Sequence, residues 1–250
     1  GHSSSKGTCR IYQYSNPDMT SGGSWIQLGT DIDGESNGDE SGKSVSLSSD
    51  GTIVAIGAML SDSAGNNSGH VRVYQYDASK TSFDNDQNSA TYGPPGWNRL
   101  GGDIDGEGGG DNNGTAVALS SDGTIVAIGA YGHSSYRGTC RVYKYDASKT
   151  SYDYTSSSDT YGPIGWNRLG NDIDGEADSD SFGHSVSLDS AGSIVAIGSR
   201  YNDSNGNMSG HVRVFETGGS RIVTSTIAAV PPVVTSLTIS SNNSIKTNYA

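Results

Sequence analysis

The sequence predicts an all-β fold of repeated, four-stranded antiparallel units. Three observations carry that expectation. The stretch Trp25–Ala58, WIQLGTDIDGESNGDESGKSVSLSSDGTIVAIGA, returns without a gap from Trp97 and again from Trp166. The copies therefore start 72 and then 69 residues apart. Within each copy, short apolar runs alternate with small or polar residues at the period of a strand. Between the runs lie clusters of Gly, Ser, Asn and Asp, and glycine alone accounts for 36 of the 250 residues. That is the punctuation of many short strands joined by turns.

The chain opens partway through a unit, because GHSSSKGTCRIYQY at 1–14 matches GHSSYRGTCRVYKY at 132–145. The first strand of a complete unit is Ser44–Leu47, matched by Ala116–Leu119 and Ser185–Leu188. A tight turn follows, Ser49-Asp50-Gly51 or Ser121-Asp122-Gly123 or Ser190-Ala191-Gly192, where Asp-Gly between strands signals a hairpin. The second strand, TIVAIGA at 52–58 and 124–130 and SIVAIGS at 193–199, is apolar on both faces. A strand covered on both sides by neighbouring sheets has that pattern, and Ala55, Gly57 and Ala58 permit close approach of those sheets.

The third strand, Val71–Tyr76, puts Arg72, Tyr74 and Tyr76 on one face and Val71 and Val73 on the other. Arg72 beside tyrosines reads as a structural post. The fourth strand starts at Trp97, whose indole suits a core with a polar handle. Long connections from Tyr76 to Trp97 and from Tyr145 to Trp166 share their wording, which predicts a defined excursion on one side of the assembly. Two strands precede Ser41, then come four, four and three, so about three four-stranded units are present, short of the 4–8 that close a propeller ring.

The unit resembles the FG-GAP repeat, the blade of the integrin α-chain N-terminal propeller. The resemblance is clearest in Ser181-Phe182-Gly183-His184-Ser185-Val186 followed by Ile197-Gly198-Ser199. The other copies keep Gly42 and Gly114 with Ser41 and Asn113 in the phenylalanine position, and Gly57-Ala58 and Gly129-Ala130 without the proline. The resemblance implies an incomplete ring of propeller blades over 1–219, with units near 1–40, 41–102, 103–171 and 172–219. It also implies an extracellular or cell-surface role in adhesion or scaffolding. Integrin-type blades hold calcium in a DxDxDG loop between strands one and two; here that loop is only SSDG or DSAG, so calcium there is not supported. Residues 220–235, with Pro231-Pro232, read as a linker. The segment 236–250 resembles the opening strand of a bacterial-type immunoglobulin-like module, or else a strand that bridges to another subunit.

The candidate site is an acidic turn. Asp31, Asp33, Glu35 and Asp39 recur as Asp103, Asp105, Glu107 and Asp111, and as Asp172, Asp174, Glu176 and Asp180. Closely spaced carboxylates on a glycine-bent loop can supply oxygens to calcium, or their Asp side chains can bond backbone amides as a structural turn. Recurrence in every unit favours a structural role of either kind over a single active site. Five sequons, at Asn66, Asn113, Asn202, Asn207 and Asn242, are candidates for glycosylation; the composition alone would give about four.

A net charge of −12 with no basic patch argues against nucleic acid as a partner. No apolar run approaches the length that spans a bilayer; the best, Ile227–Val234, is broken by prolines. Cys9 and Cys140 stand where Val71 and Val212 stand in other copies, so both read as small buried apolar residues too far apart for a disulfide. The five histidines form no catalytic pair, and no GxSxG, HExxH or CxxC occurs. The expectation is a non-enzymatic module whose partners are other protein domains, copies of itself or extracellular glycans. The alternatives are a structural subunit of an extracellular filament, completed strand to strand, and a lectin-like propeller that binds calcium or glycans.

Overall fold

The computed structural model describes residues 5–16, 22–87 and 89–217, together with the backbone of 234–239 and 245–249. The chain is all-β, built of several antiparallel sheets. The first sheet pairs β1 (Thr8–Tyr14) with β2 (Trp25–Asp33). The second runs β3 (Ser44–Leu47), β4 (Ile53–Ala58), β5 (His70–Tyr76) and β6 (Trp97–Arg99), with β7 (Ile104–Asp105) also on β5. The third repeats this order with β8 (Ala116–Leu119), β9 (Ile125–Ala130), β10 (Thr139–Tyr145), β11 (Trp166–Arg168) and β12 (Ile173–Asp174). The fourth has β13 (Phe182–Leu188), β14 (Ile194–Ser199) and β15 (His211–Glu216). The sheets are not closed into a ring.

Two details differ from the sequence reading. The fourth strand of the middle units is split in two, with pairing interrupted between Arg99 and Ile104 around Gly101 at φ +69°. A tight turn, α1 (His133–Tyr136), in which Ser134, Ser135 and Tyr136 all take left-handed backbone angles, occupies the loop between β9 and β10. Toward the end of the chain, β16 (Val234–Ile239) and β17 (Ile245–Tyr249) pair antiparallel with each other. The predicted linker lies almost wholly outside the described residues, as do Asn242 and the side chains of the predicted terminal strand.

The doubly apolar second strand is explained by sandwiching. Val54 and Ile56 of β4 pack toward the first sheet with Cys9, Ile11, Ile32, Tyr74 and Trp97. Ile53 and Ala55, on the opposite face, pack toward the third with Val117, Leu119, Val126, Ile128 and Trp166. In β9, Val126 and Ile128 face back while Ala127 joins Phe182, Val195, Ile197 and Phe215 of the fourth sheet. Three cores thus separate four sheets, each core made by alternate residues of two neighbours. Each buried aliphatic or aromatic side chain contributes about 1.5–3 kcal/mol. Cys9 and Cys140 are both free thiols within these cores, as their valine counterparts predicted.

Glycine sets the spacing between sheets. A Cβ at Gly57 would strike the carbonyl of Gly114, and one at Gly129 the carbonyl of Gly183. Ser44 Oγ donates to the Gly114 carbonyl at 2.7 Å, and the turns are strung together by Ser49 N–H to Ser121 O (2.8 Å) and Ser121 N–H to Ser190 O (2.9 Å). Trp97 and Trp166 are fully buried, and each indole Nε1 donates to the sheet before it, at Leu28 O (3.1 Å) and Leu100 O (2.9 Å). Trp25 keeps the same 5.2 Å pairing with its strand tyrosine but is 67% exposed, since no described sheet precedes it.

Candidate functional site

Each acidic turn leaves the fourth strand beside the arginine of the third, and the pairing repeats. Arg10 donates Nε and Nη2 to Asp31 at 2.9 and 2.6 Å. Arg72 donates Nε and Nη2 to Asp103 at 3.0 and 2.8 Å. Arg141 Nε donates to Asp172 at 2.9 Å. A second donor from the fourth strand completes each carboxylate: Gln27 to Asp31 (2.9 Å), Arg99 to Asp103 (2.7 Å) and Arg168 to Asp172 (2.6 Å). Arg99 and Arg168 also lie over the rings of Tyr92 and Tyr161, at 4.4 and 4.3 Å.

The glutamate of each turn reaches across to the next sheet. Glu35 pairs with Arg72, Glu107 with Arg141 at 2.9 Å, and Glu176 with Arg213 at 3.7 Å. The fourth acid turns inward instead. Asp39 accepts the Ser36 N–H (2.8 Å), and Asp111 accepts those of Glu107 and Gly108 (3.0 and 3.1 Å). Asp180 accepts the Ala177 N–H (3.1 Å) and Asn202 Nδ2 (2.8 Å). All three are buried, and they cap the bend as Asx-type turns. The second acids, Asp33, Asp105 and Asp174, stay at the rim, where Asp105 accepts the Ser63 hydroxyl at 2.7 Å.

Electrostatics follow this division. Burial opposes the charge of both Arg72 and Asp103, but their mutual hydrogen bonds and attraction outweigh it. The guanidinium is held above its ordinary range and the carboxyl below its own. Asp105 is solvent-exposed at the rim, but neighbouring atoms crowd its inner side, and this partial loss of hydration pushes its carboxyl up. His70 is pushed down by burial and by Arg72. His133 is raised by its hydrogen bond to Asp111 (Nδ1 to Oδ1, 3.1 Å), and Asp111 is lowered because that bond outweighs burial.

The predicted acids therefore divide among an arginine of their own sheet, an arginine of the next sheet and backbone amides, with the second acid of each turn left exposed at the rim. Among the described residues, two groups bring three ligand atoms within 4.8 Å of one another: His70 with Asp103 and Asp105, and His133 with Glu107 and Asp172. Neither histidine belonged to the predicted acidic set. The arginine partners were also not tied to the acids in the sequence reading. Their signal was present: Arg10, Arg72, Arg141 and Arg213 recur in register with the turns. Of the sequon asparagines, Asn113 and Asn202 are buried, and Asn113 Nδ2 donates to Ile104 O at 2.8 Å, so both serve the fold as placed here.

The two long excursions share one internal plan. Lys80 Nζ donates to the carbonyls of Thr91 and Trp97, the latter at 2.8 Å, and Lys149 does the same to Thr160 and Trp166, the latter at 2.7 Å. Asp84 bridges to Gly93 through the backbone and accepts the Thr91 hydroxyl at 2.7 Å; Asp153, Gly162 and Thr160 repeat this. At their tips the aromatic side chains face solvent: Phe83 at 62% exposure and Tyr154 at 81%, the latter stacked on Tyr152 with centroids 4.1 Å apart. A cleft of about 470 Å³ runs between the first excursion and the first acidic turn, lined by Phe83, Tyr92, Asp33, Glu35 and Arg72. No protein-family model matches the chain, and no curated protein matches it either.

Proposed function

We propose that the chain is a non-enzymatic module of an extracellular or cell-surface protein, a run of propeller-type blades that binds partners through its long loops in adhesion or scaffolding. The observation that carries this reading is the pair of excursions with a shared internal plan and solvent-facing aromatic tips. Their polar groups are spent on fixing the loop, whereas Phe83 and Tyr154 contribute little to any core. Exposed aromatic groups on a rigid frame are suited to recognition. The cleft beside Phe83 adds carboxylates that can accept hydrogen bonds from sugar hydroxyls, so extracellular glycans are the favoured ligand class, with protein surfaces second. The propeller part of the reading is supported by the 1-2-3-4 order of the middle sheets and by the neighbouring turns of β3, β8 and β13. Further blades, from the same or another chain, would close the ring.

The test is a glycan array followed by titration calorimetry, with F83A and the double variant Y152A/Y154A. Saturable binding that is lost in these variants, with unfolding curves unchanged, is the expected result. Turnover of a bound glycan or peptide, or binding indifferent to both variants, would overturn the reading.

A second reading, assembly into an extracellular filament, is favoured by Trp25. It is poised as its buried counterparts are, but lacks a preceding sheet among the described residues. Concentration-dependent blue shift of its fluorescence is expected if copies cover it. A concentration-independent spectrum, with a monomeric mass at high concentration, would count against filament formation.

A further inference from the structure

Among the described residues, His70 is the one histidine that is almost fully enclosed, at 2% exposure, and its Nδ1 has no hydrogen-bond partner. It begins β5 directly opposite Asp105 in the β5–β7 pairing. A ring nitrogen of His70, one oxygen of Asp103 and one of Asp105 lie within 4.8 Å of one another. Ligand atoms around one zinc ion are separated by roughly 3–4 Å, given bonds of about 2.0–2.2 Å. Asp103 is fixed by its arginines, so closing the difference falls to rotation of His70 and Asp105.

We propose that His70, Asp103 and Asp105 form a site for a single first-row divalent cation of the zinc type. The imidazole selects against calcium, which takes oxygen ligands. The Ser63 hydroxyl, 2.7 Å from Asp105, orients that carboxylate from the second shell. Arg72 Nε and Arg99 Nη1 both donate to Asp103 Oδ1, whereas Oδ2 accepts only Arg72 Nη2 and keeps a lone pair for a metal; together the arginines hold that carboxylate in place. Counting Glu35, which pairs with Arg72, three carboxylates face two guanidiniums here. The cluster thus keeps a negative charge for a cation to neutralise.

The equivalents of His70 are Thr8, Thr139 and His211, so the repeat itself supplies in threonine a replacement that the fold accepts. Untagged full-length chain is titrated with Zn²⁺ by calorimetry, with Ca²⁺ as comparator and Co²⁺ for visible absorption. The expected result is Zn²⁺ binding with a rise in Tm, at least tenfold weaker in H70T and unaffected in H133A. Ligand-field bands of bound Co²⁺ should also disappear in H70T. D105N, which preserves an acceptor for Ser63, provides a second variant with the same expected loss. Zinc binding unchanged in H70T and D105N would overturn the assignment. So would absence of binding to the wild-type chain at about 1 mM metal, the weak end for extracellular cation sites.

Discussion

Glu35, on the acidic turn of the first sheet, forms an ion pair with Arg72 of the second sheet, whose own turn supplies Asp103 to the same guanidinium. One arginine therefore joins two units. Its side chain is 5% exposed while that of Glu35 is 37% exposed, and this difference sets unequal consequences for removing each partner. Arg72→Ala leaves the largely buried Asp103 with Arg99 alone, and a loss of about 3–5 kcal/mol is expected. Glu35→Gln removes a screened partner and is expected to cost less than about 1 kcal/mol. Urea unfolding of the two variants checks the ranking; equal losses would mean that the contact between units, not the Asp103 clamp, carries the stability.

The tryptophans give a comparison at constant chemistry. Trp97 is fully buried and donates to Leu28 O, while Trp25 is 67% exposed at the same point of its unit. Trp97→Ala is expected to cost about 3–5 kcal/mol through cavity formation. Trp25→Ala is expected to stay within about 0.5 kcal/mol, the range of surface substitutions. Thermal unfolding of both variants at low protein concentration, where copies do not cover Trp25, makes the comparison.

Strand positions and sheet stacking were legible in the sequence because they rest on local pattern. IVAIGA is apolar at consecutive positions, and only a sandwiched strand can bury Ile53 on one side and Val54 on the other. The four carboxylates of each turn share a sequence neighbourhood, which left open either a common cation or a structural turn bonded to backbone amides. Their separate destinations depend on residues from other strands and the next unit, such as Arg72 for Glu35, about which local spacing is silent. The enclosure of His70 was not legible, because it comes from the following turn, more than thirty positions along the chain. The interruption of the fourth strand recurs at equivalent points: around the left-handed Gly29 the β1–β2 pairing skips from Leu28 to Ile32, as the β5 pairing skips from Arg99 to Ile104 around Gly101.

Glycine spacing predicts a second contrast, among Gly57, Gly129 and Gly198. None of the three has a left-handed backbone, so their substitution by alanine tests space alone. At Gly57 and Gly129 the new methyl would meet a backbone carbonyl of the next sheet. Either substitution forces the sheets apart, and about 1–3 kcal/mol of destabilisation is expected. At Gly198 the near atom is the Ser185 hydroxyl, which can rotate away, and no carbonyl of a following sheet is near. Gly198→Ala is therefore expected to be neutral or stabilising by up to about 1 kcal/mol, as the unfolded chain loses freedom. Comparable losses at Gly198 and Gly129 would show that close sheet approach is not what these glycines provide.

The His133–Asp111 pair predicts how stability varies with pH. Asp111 has a folded value below its ordinary 3.8, so its contribution is present above that value and is lost as pH falls through the lower folded value. His133 has a folded value above its ordinary 6.5, so its contribution is complete below 6.5 and is lost as pH rises through the raised value. Both contributions coexist between 3.8 and 6.5. A double-mutant cycle with H133N and D111N should give its largest coupling near pH 5 and a much smaller one near pH 9. Asp111 also accepts the backbone N–H groups of Glu107 and Gly108, so D111N alone should destabilise at both pH values. H133N alone should destabilise chiefly at the lower one. Coupling that does not change between pH 5 and 9 would mean that the imidazole stays neutral in the folded chain and serves Asp111 only as an uncharged donor.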